Sequence, residues 1–344
     1  MKTYIYAFIV ALVLSYIFTP IVKKFAWKIG ALDIPNDTRR MHTRPIPRIG
    51  GLAIFGAFVL TSILVLPLTR TVEGILLGSA FIVALGVFDD IKNLPAKIKL
   101  IGQIAAAGIL VLYGIRVEWV TNPLGGMFYL GKLSIPLTIF WIVGVTNALN
   151  FIDGLDGLAA GVASIASLAL LIVAIGEGQE HVVILTAILT GSAIGFLPFN
   201  FNPAKIFMGD TGAMFLGFVL AAISIEGAIK SAAAIALVVP ILILGLPIFD
   251  TAFAILRRAV NGYPIMKADK GHLHHRLMAI GLNQRQTVLI LYSISGLLGI
   301  SAIVLSQIGL LEAGMILTVL VGIAVVLGHQ LGIIDIKNTK KFDV

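Results

Sequence analysis

Long apolar runs separated by short polar segments make up most of this chain of 344 residues. Most runs hold about 20 residues, enough for a helix to cross the roughly 30 Å hydrocarbon core of a bilayer. The pattern predicts an all-α polytopic membrane protein with about 11 transmembrane helices. The predicted spans lie near 3–22, 50–69, 73–89, 98–115, 134–149, 158–175, 182–198, 211–226, 231–254, 287–307 and 313–333.

The composition changes this picture little. The chain is 58% apolar and 12% charged, a balance that is unusual for a soluble domain. We therefore predict one integral-membrane domain over residues 1–344. The first run resembles a signal peptide, but its length, Pro20 and the lack of a small-x-small cleavage site favour a retained helix. The chain has no cysteine, which excludes disulfides and thiolate metal sites.

Charge predicts the orientation. If the loops alternate between the two sides, one side holds 20 of the 25 Lys and Arg, and the positive-inside rule makes that side cytoplasmic. The N-terminus is then outside and the C-terminus cytoplasmic. All 11 Asp fall on the cytoplasmic side and all six Glu on the other. Basic loops that only set topology would not explain the clustered aspartates, so this face is the predicted active-site face. The predicted active-site loops are 23–49, 90–99, 150–157, 199–210 and 257–286.

Two local features stand out among the spans. The outer segment 116–133 has two short β-prone runs around Gly125 and Gly126, which predicts a small periplasmic β-hairpin. Pro240 and Pro247 in the ninth span predict a kinked or broken helix, which in a membrane usually borders a cavity or groove.

The first polar motif follows the third apolar run. Asp89 and Asp90 are adjacent, and adjacent carboxylates repel each other unless a cation neutralises them. This favours Mg²⁺ binding, or one carboxylate held as a proton acceptor, with Lys97 and Lys99 available to a phosphate. A solvated helix cap with basic neighbours is the alternative.

The second motif, NALNFIDGLDGLAAG, covers 147–161 and holds four amide or carboxylate side chains within ten residues. Residues three apart share a helix face. Two of the four could cap a helix beginning at Leu158, but four exceed that need and indicate a ligand site. The four are Asn147, Asn150, Asp153 and Asp156.

The third motif, FNFNPAKIFMGDTGAMFLG, covers 199–217. Asp210 would cap a helix by itself, and the N-terminus of that helix would also attract an anion. Phe207 can stack on a planar base, and Asn200 can bind the edge of that base.

The fourth motif lies in the basic loop 257–277. Three histidines so close together could bind zinc, and that alternative stays open. Because carboxylates lie elsewhere, we prefer Mg²⁺ at the aspartates and contacts from arginine and histidine to a pyrophosphate. A basic membrane-surface loop would not need histidines. The residues concerned are Arg258, His272, His274 and His275.

These motifs together describe a nucleotide diphosphate site at a membrane surface, beside a groove for a lipid. DDIKNLPAKIKLIGQ, NALNFIDGLDGLAAG, NPAKIFMGDTG and GHLHHRL, in that order, resemble the polyprenyl-phosphate N-acetylhexosamine-1-phosphate transferases, the glycosyltransferase 4 family. The resemblance covers essentially the whole chain. GHLHHRL is similar to the N-acetylglucosamine branch, whereas the muramoyl-pentapeptide branch tends toward three consecutive histidines.

The resemblance implies a reaction. N-acetylglucosamine-1-phosphate would pass from UDP-N-acetylglucosamine to undecaprenyl phosphate, giving a diphosphate-linked lipid and UMP, with Mg²⁺ or Mn²⁺ as cofactor. This would be the first membrane step of an envelope glycan pathway, on the cytoplasmic face of a bacterial inner membrane. UDP-N-acetylmuramoyl-pentapeptide is the alternative donor. The expected partners are both substrates and membrane lipids, with a homodimer as a family expectation and no nucleic acid.

The resemblance also implies roles for single residues. Asp89 or Asp90 would deprotonate the lipid phosphate, and Asp210 would ligate Mg²⁺. Direct displacement and a phospho-aspartate intermediate both stay open. The implied catalytic residues are Asp89, Asp90, Asp156, His272, His274 and His275. The implied substrate-binding residues are Asn147, Asn150, Asp153, Asn200, Phe207, Lys97, Lys99 and Arg258, and the implied metal ligands are Asp210 and Asp90.

Two other classes of protein compete with this interpretation. An ion-coupled transporter would place carboxylates near the membrane midplane, where Asp250 is the one candidate. A non-catalytic lipid-binding scaffold is disfavoured because none of the expected acidic, amide or histidine positions is missing.

Overall fold

The computed structural model describes residues 3–34, 44–121, 127–230, 238–262 and 271–308, together with Glu312 and Gly322. Nearly all of this is helical. The helices are α1 (Thr3–Ile29), α2 (Gly51–Val65), α3 (Arg70–Lys92), α4 (Ala96–Leu112), α5 (Ser134–Ile152), α6 (Leu158–Gly176), α7 (Glu180–Asn200), α8 (Gly209–Lys230), α9 (Val238–Ile243), α10 (Gly245–Val260), α11 (Leu273–Ala279) and α12 (Gln284–Leu305).

The predicted class, an all-α polytopic membrane protein, is confirmed. Within the described ranges, seven helices are long and apolar enough to cross a membrane: α1, α3, α5 with the 3₁₀ turn before it, α6, α7, α8 and α12. The shorter α2 is also apolar. The count of 11 spans and the orientation stay predictions, and the predicted span 313–333 lies outside the described residues.

Helix α8 forms the centre of the bundle. In the most apolar 18-residue stretch of α8, 89% of the residues are buried, whereas in that of α1 only 22% are. Helix α1 lies at the edge of the bundle and packs against α2 and α7. Helices α3 and α5 pack against α8. Gly51 and Gly86 let α2 and α3 approach the first turn of α8, since a Cβ at either position would overlap the backbone there. The most buried helix therefore carries the GDTG motif at its first turn.

Two short antiparallel pairs complete the described fold. β1 (Leu32–Asp33) pairs with β2 (Ile46–Pro47), next to the motif-bearing helix ends. β3 (Trp119–Thr121) pairs with β4 (Met127–Tyr129), so the hairpin predicted within 116–133 is confirmed. This hairpin joins α4 to α5 at the opposite end of the bundle from the motifs.

The predicted break in the ninth span is also confirmed. α9 ends at Ile243 and α10 begins at Gly245, with Leu244 between them. The amide of Leu244 still donates to Pro240 O at 3.0 Å, so the chain kinks rather than unwinds. Pro247 explains the break, because it lacks the N–H that a continuous helix would direct to the carbonyl of Ile243.

Candidate active site

The four sequence motifs meet around one cavity of about 810 Å³. It opens among β1, residues 44–48, the segment between α5 and α6, the segment between α7 and α8, and the start of α12. Six predicted site residues line it: Asp153, Asp156, Asn200, Phe207, Asp210 and His275. Residues that are far apart in sequence therefore converge on one space large enough for a nucleotide sugar.

Asp210 lines this cavity and is held there by two side chains from other helices. Lys99 Nζ donates to Asp210 Oδ2 at 2.5 Å and also lies 2.7 Å from Asp89 Oδ2. Asn150 Nδ2 donates to Asp210 Oδ1 at 3.0 Å. The predicted residues Asp89, Lys99 and Asn150 do not line the cavity themselves but contact Asp210. Helix α8 begins at Gly209, so Asp210 lies inside the first turn and is not its cap.

Asp90 lies next to Asp89 in sequence but has different partners. Asp90 Oδ1 accepts hydrogen bonds from Arg48 Nε at 3.2 Å and from the Asp210 amide at 3.0 Å. Asp90 Oδ2 accepts from the Thr211 amide at 3.0 Å and from Thr211 Oγ1 at 2.6 Å. The side chain of Asp90 is fully buried, and both of its oxygens are occupied by protein donors.

The segment between α5 and α6 carries two carboxylates into the cavity. Asp156 Oδ2 accepts from Asn202 Nδ2 and from the Ala204 amide, both at 3.0 Å. Burial raises the pKa of Asp153 well above its usual value, and the negative charges of Asp210, Asp90 and Asp156 raise it further. The site therefore concentrates carboxylates in a small volume.

Asn200 and Phe207 lie where a planar base could be held. Asn200 is buried and donates from Nδ2 to Ile206 O at 3.1 Å, and its Oδ1 finds no hydrogen-bond partner among the described residues. Phe207 lines the cavity, and its amide donates to Pro47 O at 2.7 Å. This backbone contact thus holds Phe207 in the wall of the cavity.

Of the three predicted histidines at the short helix α11, only His275 lines the cavity. His272 Nδ1 lies 2.8 Å from Asp250 Oδ2, and its ring stacks on that of His274 with centroids 5.8 Å apart. His274 is buried against Gly154, and burial lowers its pKa to about 3 with a further contribution from His275. His274 is therefore neutral near pH 7.

Three predicted substrate-binding residues are not brought to the cavity. Asn147 Nδ2 donates to Gln103 Oε1 at 2.6 Å. The side-chain amide of Asn147 therefore serves the contact between α4 and α5. Lys97 is exposed on the first turn of α4. Arg258 is buried near the end of α10. Their roles in substrate binding stay predictions.

Sequence reasoning missed several residues of the site. Arg48 lines the cavity and binds Asp90, and Asn202 links Asp156 to Gln284 Oε1 at 2.7 Å. Asp250 accepts from His272 and from the Leu273 amide, a structural arrangement rather than a transport site. Asn202 lies in the third motif, but nothing in that motif indicates its contact with Asp156 or Gln284. Only the basic character of the loop 23–49 pointed toward Arg48.

The carboxylate oxygens around Asp210 suit Mg²⁺ better than zinc. No three His, Asp or Glu side chains among the described residues are arranged to hold a metal, so the alternative of a three-histidine zinc site is wrong for this part of the chain. Mg²⁺ needs less from the protein, since one or two carboxylates and substrate phosphates complete its shell. Asp210 and Asp153, which line the same cavity, could supply those carboxylates.

Comparisons with known proteins identify the family of this chain. Residues 72–228 match the family model described as glycosyl transferase family 4. Over 333 residues the chain is 43% identical to a probable undecaprenyl-phosphate N-acetylglucosaminyl 1-phosphate transferase of Bacillus subtilis, covering 96% of this chain and 93% of the relative.

Two further relatives carry the names of related transferases. A decaprenyl-phosphate N-acetylglucosaminephosphotransferase of Mycobacterium tuberculosis is 36% identical over 85% of this chain and 80% of the relative. A phospho-N-acetylmuramoyl-pentapeptide-transferase of Halalkalibacterium halodurans is 32% identical over 88% of this chain and 96% of the relative. The chain therefore belongs to glycosyl transferase family 4, the polyprenyl-phosphate N-acetylhexosamine-1-phosphate transferases.

Proposed function

We propose that this protein transfers N-acetylglucosamine-1-phosphate from UDP-N-acetylglucosamine to undecaprenyl phosphate, forming a diphosphate-linked lipid and UMP. The observation that carries the proposal is the convergence of Asp153, Asp156, Asn200, Phe207 and Asp210 on one cavity. The name of the Bacillus relative, at 43% identity over nearly the full length, supports the choice of sugar and acceptor.

The reaction is a displacement at phosphorus. An oxygen of the lipid phosphate attacks the β-phosphorus of the donor, and a new P–O bond forms. The bond from that phosphorus to the oxygen bridging to the α-phosphorus breaks, and UMP leaves with this oxygen. Such transfers depend mainly on positioning and charge neutralisation, which an enclosed polar cavity provides.

The residues divide the work by their location. Asp156, Asn200 and Phe207 hold the uridine, because they supply a carboxylate, an amide with a free Oδ1 and an aromatic ring in one wall. Asp89 accepts the proton of the lipid phosphate, while Lys99 beside it attracts that phosphate. His275, which lines the cavity, contacts the donor's sugar or phosphates.

The site would hold Mg²⁺ as its cofactor. Asp210 would be the protein ligand, and Asp153 lines the same cavity. When bound, the cation would neutralise part of the pyrophosphate charge of the donor. Mn²⁺ has the same preference for oxygen ligands and is expected to substitute.

The alternative donor is UDP-N-acetylmuramoyl-pentapeptide, supported by the name of the Halalkalibacterium relative at lower identity. A UMP-release assay with each UDP-sugar in a separate reaction tests the choice. Release from UDP-N-acetylglucosamine alone supports the proposal, and release from the pentapeptide donor alone contradicts the sugar but not the chemistry. Decaprenyl phosphate in a parallel reaction tests the acceptor length, which the Mycobacterium relative leaves open.

The proposed location is the cytoplasmic side of a bacterial inner membrane, with the whole chain as one transferase domain. The motif-bearing ends of α3, α5, α7 and α10 and the starts of α4, α6, α8 and α12 all lie at one end of the bundle. The excess of Lys and Arg in the loops at that end supports a cytoplasmic active site.

A further inference from the structure

The first turn of α8 lacks the cap that a helix normally has. The amides at a helix N-terminus have no partner within the helix, and a Ser, Thr, Asp or Asn just before it usually accepts from them. Here the preceding residue is Met208, whose buried thioether is a weak acceptor. Asp90 of α3 accepts from the Asp210 and Thr211 amides instead. The cap of α8 therefore comes from another helix.

The contacts of Asp90 leave no oxygen for another role. Each oxygen accepts two hydrogen bonds, and all of the donors are protein groups: Arg48 Nε, the amides of Asp210 and Thr211, and Thr211 Oγ1. A carboxyl group that only accepts must be ionised, and its charge is met by the guanidinium of Arg48 at 3.2 Å. A proton acceptor or a metal ligand would need an oxygen directed at a substrate or an ion.

The backbone around this contact is shaped to permit it. The amides of Gly50 and Gly51 donate to the carbonyls of Phe207 and Met208 at 2.9 Å, which holds the segment carrying Arg48 against the start of α8. Gly209 has a φ of +70°, and a Cβ there would overlap Arg48 O and the Asp90 carboxylate. Three separate segments thus meet at the Asp90 side chain.

We propose that Asp90 is a positioning residue: by capping α8 from α3, with Arg48 as its counter-ion, it fixes the direction of the Asp210 carboxylate. This inference rests on the proposed function only for its consequence on turnover. Asp89, one residue earlier, accepts instead from Lys99 and the Leu94 amide. The two adjacent aspartates therefore have different tasks, Asp89 toward the acceptor and Asp90 toward the fold of the site.

Hydrogen exchange of metal-free protein in detergent tests this role without turnover. In Asp90→Asn, the segment 207–213 should exchange about 10- to 100-fold faster, the effect of losing a charge-assisted hydrogen bond. Asp89→Asn is the comparison variant: Asp89 contacts the Asp210 side chain but accepts from the Leu94 amide rather than from the Asp210 or Thr211 amide, so exchange in that segment should rise far less than in Asp90→Asn. Mn²⁺ binding, followed by the EPR signal of the free ion, should weaken about tenfold in Asp90→Asn.

Thr211 gives a second variant if Asp90→Asn does not fold. Thr211→Val keeps the shape but removes the hydroxyl that donates to Asp90, so exchange should rise and kcat should fall several-fold. Thr211→Ser should restore both, and the KM for undecaprenyl phosphate should stay within threefold throughout. Wild-type exchange in both Asp90→Asn and Thr211→Val, with turnover lost in the former, would overturn the proposal and assign Asp90 to direct catalysis. If exchange is faster in the variants but the wild-type protein shows no turnover, the role of Asp90 stands and only the proposed function is contradicted.

Discussion

The ammonium group of Lys99 lies 2.5 Å from the carboxylate of Asp210 and thereby joins the first turn of α4 to the first turn of α8. The same ammonium reaches Asp89 at 2.7 Å. One cation thus serves two carboxylates to which we assign different tasks, one toward the acceptor and one toward the donor. The sequence separation between Lys99 and Asp210 is 111 residues, so the pairing depends on the packing of the bundle.

Removing the Lys99 charge should stop the reaction without removing the cation site. In Lys99→Met we expect kcat to fall about 100-fold or more, the usual cost of deleting one charged contact in an active site. Because Lys99 and a divalent cation are drawn to the same carboxylate, Mn²⁺ should bind at least as tightly as in the wild type. Lys28→Met is the control and should keep normal turnover, because Lys28 is an exposed lysine in the last turn of α1. Wild-type turnover in Lys99→Met would contradict the role.

His274 should make stability depend on pH. Its folded-state pKa is about 3, below the usual 6.5, so the unfolded chain binds a proton that the folded chain does not. Stability should therefore fall as the pH drops from about 6.5 toward 3, and His274→Leu should reduce that fall. Thermal unfolding in detergent at several pH values measures this loss of stability, and His181→Leu, at an exposed histidine, is the control. Equal pH dependence in His274→Leu and the wild type would contradict the burial of a neutral ring.

Asp250 and His272 should act as one unit on the donor. Asp250 holds His272 Nδ1 and the Leu273 amide, so it sets both the tautomer of the ring and the start of α11. We expect Asp250→Asn and His272→Gln each to raise the KM for UDP-N-acetylglucosamine about tenfold, the effect of one lost charge-assisted hydrogen bond. The double variant should be little worse than either single variant. Fully additive effects would show that the two residues act independently.

The sequence predicted those residues of the site that lie in short polar motifs. Asp153, Asp156, Asn200, Phe207 and Asp210 each stand in a short motif with clustered polar atoms beside an apolar run, and the cavity brings these five together. The fold class followed from the lengths of the apolar runs, and the kink at Leu244 followed from the chemistry of proline. These inferences needed only local information.

The parts that the sequence did not predict depend on contacts between distant segments. Asp89 and Asp90 read as an equivalent pair, but neighbours on a helix point about 100° apart, so they meet different partners. Arg48 finds Asp90 across 42 residues, and Asn147 is explained by Gln103 across 44. No spacing rule within one helix gives such pairs, because they are set by which helices pack side by side.

The most direct test of the account is UMP release by wild-type protein and Asp210→Asn, with UDP-N-acetylglucosamine, undecaprenyl phosphate and Mg²⁺. We expect the wild type to release UMP only when all three are present. Asp210→Asn should lose at least about 1,000-fold of this rate, while its unfolding temperature in detergent stays close to that of the wild type. Wild-type turnover in a folded Asp210→Asn would contradict the claim that the cavity beside Asp210 is the site of transfer.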